Sequence, residues 1–124
     1  MLIVGRSGSG KSRLALGMIA RGAVLVADDR VDLVREGDRL VAAAPPALRG
    51  LVEARGVGLL RLPCRPSCEI SLAVDLDAAP VTRMPPPDTI AFLGVTLDLI
   101  SAAGVPNIDV ILTLLLRYGR AEPE

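Results

Sequence analysis

Histidine and tryptophan are absent from this sequence of 124 residues, and its only aromatic side chains are Phe92 and Tyr118. Without histidine, the chain lacks the commonest general base and the commonest metal ligand. Any catalysis must therefore use carboxylates, arginine, lysine, hydroxyls or thiols. Hydrophobic residues still make up 51% of the chain. This composition predicts one globular domain whose core is built from valine, leucine, isoleucine and alanine.

An excess of charge of one sign is also missing, because 14 basic side chains balance 14 acidic ones. A chain with no basic surplus is poorly suited to grip a phosphate backbone, so nucleic acid is not expected as a partner. Among the basic residues, lysine is the rare one, and Lys11 is the only lysine in the chain.

Signals for export or membrane insertion are lacking as well. The apolar start is too short for a signal peptide, and no apolar run is long enough to span a bilayer, so no membrane partner is expected. The two cysteines, Cys64 and Cys68, form a single C-x-x-x-C pair. That pair falls short of the four nitrogen or sulfur ligands of a structural zinc site. Such sparse cysteine fits a reducing compartment, and we expect a cytoplasmic protein.

Apolar periodicity and turn residues predict a single α/β domain over residues 1–124, with a mixed, strand-rich sheet and no linker or repeat. Strands are predicted at 1–4, 23–27, 31–34, 39–42, 57–62 and 69–76, and a strand or a hairpin around Gly94 at 89–97. Helices are predicted at 11–20, at 46–54, and from a cap at Asn107 to Arg117. The first strand is short, as if clipped. The order strand, glycine-rich turn, helix, strand is typical of a βαβ unit.

Residues 5–12, Gly-Arg-Ser-Gly-Ser-Gly-Lys-Ser, match every fixed position of the phosphate-binding pattern G-x-x-x-x-G-K-[ST]. The glycines allow backbone N–H groups to turn inward around phosphate oxygens, and the following helix adds its positive N-terminal end. Lys11 would reach the β- and γ-phosphates, and Ser12 can ligate Mg²⁺. The residues expected to bind nucleotide are Gly5, Ser7, Gly8, Ser9, Gly10, Lys11, Ser12 and Arg13.

Two acidic residues, Asp28 and Asp29, follow the predicted strand at 23–27. Carboxylates at a strand end can hold Mg²⁺ or accept a hydroxyl proton in phosphoryl transfer. A polar strand exit or a helix cap is the alternative. Further along, Glu53 and Arg55 read as surface charges by composition alone.

Three blocks together carry a resemblance to a known family: residues 5–12, residues 25–29 (Leu-Val-Ala-Asp-Asp) and residues 47–58 (Ala-Leu-Arg-Gly-Leu-Val-Glu-Ala-Arg-Gly-Val-Gly). They resemble the catalytic domain of HPr kinase/phosphorylase, in the short form that lacks the N-terminal domain. The resemblance implies a P-loop fold that uses ATP and Mg²⁺. It also implies phosphoryl transfer to a serine of the phosphocarrier protein HPr, and removal of that group by phosphorolysis with release of pyrophosphate.

The resemblance also implies residue roles. Asp28 would take the serine proton, and return it in the reverse reaction, with Asp29 supporting the same site. Lys11 and the loop amides would hold the β-phosphate, while Ser12 and Glu53 would hold Mg²⁺.

Two departures from the family pattern bear on activity. No histidine lies in the first strand, and residues 85–99 lack the family's arginine-rich phosphate loop, which leaves only Arg83 nearby. We therefore expect weakened phosphorolysis. Arg55 would lie near the site through the turn of the third block. A different P-loop small-molecule kinase or NTPase, and a non-catalytic nucleotide-binding regulatory module, are the alternatives, and the oligomeric state is open.

Overall fold

The computed structural model of the protein describes residues 1–121, so residues 122–124 of the predicted domain lie outside the described part. Its strands are β1 Leu2–Val4, β2 Asp32–Glu36, β3 Arg39–Ala43, β4 Leu51–Ala54, β5 Gly58–Arg61, β6 Ser67–Ile70, β7 Leu72–Asp75, β8 Asp88–Phe92 and β9 Val95–Ser101. Its α-helices are α1 Lys11–Ile19 and α2 Ile108–Tyr118, with one 3₁₀ turn at Pro46–Leu48. Within the described residues, neither helix has the length and apolar character needed to cross a membrane.

A mixed central sheet has the strand order β1-β7-β9-β8, in which β1, β7 and β9 are parallel and β8 is antiparallel. Its inner strand β7 carries buried apolar residues on both faces, as expected for a parallel strand whose two faces are covered. On β7, Ala73 faces a second sheet while Leu72 and Val74 face the helices. The sheet is therefore the middle of three layers.

The second sheet is antiparallel, with the order β2-β3-β6, and β4 and β5 form a separate hairpin. The apolar cluster between the two sheets contains Leu2, Leu40, Ala42, Ile70, Ala73, Val95 and Leu97. The cluster between the central sheet and the helices contains Leu14, Met18, Leu72, Val74, Ala102 and Leu112. Each fully buried leucine or valine contributes roughly 1.5–3 kcal/mol, so these clusters fix the position of α1 and of the loop before it.

Several predictions based on local signals are confirmed. The first helix ends one residue before the predicted end, and the hairpin at 31–42 forms as β2 and β3 around Gly37. The second hairpin turns at Leu93 and Gly94, both with positive φ. The last helix begins after Asn107, whose own φ is +56° and whose side chain makes no capping bond.

The predicted strand at 23–27 is wrong. Only Leu25 pairs, in a single parallel bridge with Cys64, and the amide of Arg65 donates to the Leu25 carbonyl at 2.8 Å. The parallel neighbour of β1 is β7 and not this segment, so the expected adjacent βαβ unit does not form. Within this segment Leu25 is buried, while Val24 is exposed.

The predicted helix at 46–54 is also wrong. The chain makes one 3₁₀ turn, then reaches Gly50 with φ +75°, and continues as β4. A Cβ at Gly50 would lie 2.8 Å from the Leu62 carbonyl oxygen, so glycine is required at this crossing. The helix-forming residues of β4 are held extended by pairing with β5, and tertiary contact overrides their propensity.

The predicted strand at 69–76 is divided in two. β6 ends at Ile70 in the second sheet and β7 begins at Leu72 in the central sheet. Apolar residues do alternate along residues 69–76, but Ile70 and Leu72 pack into different apolar clusters. A strand that changes sheets keeps its alternating pattern across the break, so periodicity alone did not mark it.

Candidate active site

The loop between β1 and α1 has the geometry of a phosphate cradle. The amide of Ser9 donates to the Arg6 carbonyl at 3.0 Å, which closes a turn whose tip, Ser7 and Gly8, is exposed. Gly10, with φ +100°, then begins α1 without a side-chain cap. The first amides of the helix are therefore uncapped by any side chain, and an anion is the natural partner for them.

Among the glycines of this loop, Gly5 is the one whose backbone lies closest to other side chains. A Cβ at this position would lie 2.6 Å from the Ser9 hydroxyl and 3.4 Å from Cβ of Leu76. The Ser9 hydroxyl is buried and has no hydrogen-bond partner among the described residues. The Ser9 side chain is thus turned toward Gly5, and Ser9 contributes to the loop turn through its backbone amide.

Lys11 folds back over the loop. Its ammonium group donates to the Gly5 carbonyl at 2.6 Å and to the Arg6 carbonyl at 2.9 Å. An ammonium group has three donors, so one remains for a phosphate oxygen. Lys11 therefore braces the loop and places a positive charge at the mouth of the cradle.

Ser12 and Asp28 are in contact. The Ser12 hydroxyl donates to Oδ1 of Asp28 at 2.9 Å, and both residues are partly buried. The irregular segment after α1 brings Asp28 to the loop although the predicted strand there does not form. Asp29, next along the chain, is exposed.

Glu53 lies on β4 and Arg55 lies in the turn that follows, both exposed. β4 runs alongside α1, so the hairpin borders the helix that begins at the loop. In residues 1–121, no group of three or more acidic or cysteine side chains is placed to hold a metal ion. The Ser12 hydroxyl nevertheless fits Mg²⁺, which prefers oxygen and needs few protein ligands because it retains water.

Two carboxylates were missed by sequence reasoning. Asp75 ends β7 opposite Val4, and Asp77 follows it. Oδ2 of Asp77 accepts the Arg6 amide at 2.8 Å, and its Oδ1 lies 3.3 Å from Nε of Arg6. Oδ1 of Asp75 in turn accepts the Asp77 amide at 2.8 Å. The signal was an apolar strand ending in two acids, which is meaningful only once β7 is known to lie beside β1.

Arg13, the last residue expected to bind nucleotide, projects from the first turn of α1 and is exposed. It adds a second cationic residue to the first turn of α1. Both cysteines are free thiols: Cys64 pairs with Leu25 in the isolated bridge, and Cys68 lies on β6.

This fold and loop define a P-loop nucleotide-binding domain. The family model described as the HPr Serine kinase C-terminal domain matches residues 1–80. The chain belongs to this family, and the match includes the loop, Asp28, and the hairpin that carries Glu53.

Individual relatives agree with this membership. HPr kinase/phosphorylase of Cupriavidus necator is 56% identical over 61 residues, which are 48% of this chain and 19% of that protein. HPr kinase/phosphorylase of Lactobacillus johnsonii is 48% identical over the same shares of the two chains. The match to this chain thus spans about a fifth of the length of these curated relatives.

Beyond residue 80 the likeness is carried by structure. The solved structure of the Hpr(Ser) kinase/phosphatase from Coxiella burnetii superposes with a TM-score of 0.77 at 26% identity, covering 93% of this chain and 83% of that one. The mixed α/β architecture expected from the sequence is confirmed.

Proposed function

We propose that residues 1–124 form the single catalytic domain of a protein-serine kinase, which transfers the γ-phosphoryl group of Mg²⁺-ATP to a serine of HPr. The observation that carries this proposal is the 2.9 Å hydrogen bond between Ser12 of the loop and Asp28. This bond places a carboxylate beside the phosphate cradle, where it can accept the proton of an attacking hydroxyl, and a protein that only binds nucleotide needs no such proton acceptor. The names of the relatives supply the protein substrate.

The residues act by positioning and by neutralising charge, which are the main terms in phosphoryl transfer. The loop amides, Lys11 and the start of α1 hold the phosphates. One oxygen of Asp28 is engaged by Ser12, which leaves the other to accept the proton of the attacking serine. The serine oxygen bonds to the γ-phosphorus, the bond to the β-phosphate oxygen breaks, and ADP leaves. Asp29 adds negative charge at the same position.

Mg²⁺, when bound, neutralises charge on the β- and γ-phosphate oxygens. Ser12 would hold it directly, and Glu53 would complete the protein's share from the neighbouring hairpin. The proximity of β4 to α1 supports this pairing. Arg55, two residues beyond Glu53, would bring a cation to the same edge.

We propose that the reverse reaction, phosphorolysis, is slower than the forward transfer. In phosphorolysis, inorganic phosphate attacks the phosphorus of phosphoserine, pyrophosphate forms, and Asp28 returns the proton to the serine oxygen. Phosphate must be held in line, yet the residues expected to carry an arginine-rich loop form the hairpin β8–β9. Arg83 is nearby in sequence and exposed.

Transfer is tested by incubating the protein with γ-labelled ATP, with HPr, and with HPr whose acceptor serine is replaced by alanine. Label should appear only in HPr that carries the serine. Label released as free phosphate in every tube would instead indicate a plain NTPase, and bound ATP with no turnover would indicate a regulatory module.

Phosphorolysis is tested by pyrophosphate release from serine-phosphorylated HPr at saturating phosphate. The rate should be lower than the forward rate. A reverse rate equal to the forward one in an Arg83→Ala variant shown to be monomeric would contradict this part of the proposal. We place the reaction in the cytoplasm, without nucleic acid or membrane as partners, and a homo-oligomer would supply further arginines to the site.

A further inference from the structure

The carboxylate proposed as the base, Asp28, lies on a segment without regular secondary structure. α1 ends at Ile19 and β2 begins at Asp32, and among the described residues the chain between them forms one β-bridge, at Leu25. Irregular segments with few backbone hydrogen bonds shift at low free-energy cost. A proton acceptor must nevertheless stay within hydrogen-bond reach of the reacting hydroxyl. A contact from outside the segment is therefore needed to fix its backbone.

That contact is made by the β5–β6 connection, defined here as residues 62–66. The amide of Arg65 donates to the Leu25 carbonyl at 2.8 Å, and Cys64 forms the bridge with Leu25. The Leu25 side chain is only 4% exposed, so apolar packing adds to the hydrogen bond. Asp28 is three residues beyond Leu25, a stretch of chain that spans at most about 10 Å. The connection therefore restrains the backbone that carries Asp28.

The connection is stiff, and it is joined to the hairpin β4–β5 as well. Pro63 and Pro66 fix their own φ at about −65° and hold the residues before them extended. The amide of Leu62 donates to the Gly50 carbonyl at 2.8 Å. Gly50 immediately precedes β4, the strand that carries Glu53. The same five residues thus contact the segment with the proposed base and the hairpin with the proposed Mg²⁺ ligand.

We propose that the β5–β6 connection positions Asp28 for proton transfer, and that Arg65 is a positioning residue that acts through its backbone amide. This inference rests on the proposed serine kinase function and deepens it. Ser12 holds one carboxylate oxygen of Asp28, and the connection holds the backbone behind it. With both restraints in place, the second carboxylate oxygen has a fixed direction.

Loss of the connection should affect transfer more than binding. A misplacement of about 1 Å at a reacting group can cost roughly 10²-fold in rate. The phosphate loop has hydrogen bonds of its own, from the Lys11 ammonium group to the Gly5 and Arg6 carbonyls. Nucleotide affinity is therefore expected to survive a change that moves Asp28.

The test removes one backbone donor. Arg65→Pro deletes the amide hydrogen, and proline fits the backbone because Arg65 precedes Pro66 and is already held extended. Arg65→Ala keeps the amide and removes the exposed side chain, so it separates the backbone contact from the guanidinium. Single-turnover transfer from γ-labelled ATP to HPr and ATP affinity by calorimetry are measured for the parent and both variants. Each is also combined with Asp28→Asn.

Arg65→Pro should lower transfer by about 10- to 100-fold and leave ATP affinity within about two-fold, which also shows that the variant is folded. Arg65→Ala should retain transfer within about three-fold of the parent. In the Asp28→Asn background, Arg65→Pro should lower the residual transfer by less than about two-fold, because changes that act through one carboxylate are not additive. Leu25→Val, which shortens the apolar anchor from the other side, provides a second variant and should show the same dependence on Asp28.

Other results overturn the inference in distinguishable ways. Transfer at the parent rate in Arg65→Pro and Leu25→Val would show that the connection does not position Asp28, with the base assignment intact. Equal losses with and without Asp28→Asn, or a loss of ATP binding, would show that it stabilises the domain in general. Equal losses in Arg65→Pro and Arg65→Ala would assign the effect to the guanidinium. A parent that transfers no label to HPr would refute the proposed function as well.

Discussion

Replacing Lys11 by methionine keeps most of the apolar stem and removes the ammonium group. In the structure, that group donates to two loop carbonyls, at 2.6 and 2.9 Å, and has one donor left for phosphate. Loss of a charge-assisted phosphate contact costs about 1.5–3 kcal/mol, which is a rise of roughly 10- to 150-fold in the dissociation constant of ATP. The freed carbonyls of Gly5 and Arg6 lie at the partly exposed loop and can bind water. Stability should therefore fall by no more than about 1 kcal/mol.

The assay pairs calorimetry with Mg²⁺-ATP and chemical denaturation of the same samples. Arg39→Met is the matched control, because it removes one positive charge from an exposed side chain on β3, which forms an ion pair with Glu69 at 3.6 Å. It should leave ATP affinity within about two-fold, since exposed charges at a distance are screened by salt. Equal losses of affinity in both variants would show a general charge effect. Unchanged affinity in Lys11→Met would refute the assignment of the loop.

Three further predictions concern the frame around the loop. In Asp77→Ala, the Arg6 amide loses its 2.8 Å acceptor and should exchange with solvent at least about five-fold faster by NMR, while unchanged exchange would mean that the contact is not formed in solution. Gly5→Ala should lower the free energy of unfolding by about 1–3 kcal/mol more than Gly37→Ala, because the added Cβ would lie 2.6 Å from the Ser9 hydroxyl at Gly5 but would meet no atom within 4 Å at Gly37. Glu53→Gln should raise the Mg²⁺ concentration needed for activity more than it weakens metal-free nucleotide binding, and superimposable Mg²⁺ titrations would make Glu53 a surface charge.

Features with local causes were predictable from the sequence. The phosphate loop and α1 follow from glycine spacing and an apolar helical face. The turns at Gly37 and Gly94 follow from the need for positive φ, at +62° and +78°. In each case the residues that determine the structure lie within a few positions of it.

Features with distant causes were not predictable. Residues 51–54, Leu-Val-Glu-Ala, include good helix formers, and only pairing with β5 keeps them extended. The segment at 23–27 has the composition of a buried strand, but the place beside β1 is taken by β7, a choice that sheet pairing makes across the whole chain. The same pairing explains why Asp77 was missed, since its contact with Arg6 joins residues 71 positions apart.

The site was predicted only in part, because some of its contacts also join residues that are far apart in the sequence. Ser12 and Asp28 were named from the loop pattern and from the resemblance, and the structure places their side chains 2.9 Å apart. The route is different from the one expected, because an irregular segment with one bridge at Leu25 delivers Asp28.

The most direct measurement of the central claim is single-turnover transfer from γ-labelled ATP to HPr by the parent, Asp28→Asn and Asp29→Asn, with ATP affinity measured on the same samples. Asp28→Asn preserves shape and removes the proton acceptor. It should bind ATP within a few-fold of the parent while transfer falls by ~10²–10⁴-fold, and Asp29→Asn should lose much less. Transfer by Asp28→Asn at the parent rate, with ATP bound, would contradict the assignment of Asp28 as the base of a serine kinase.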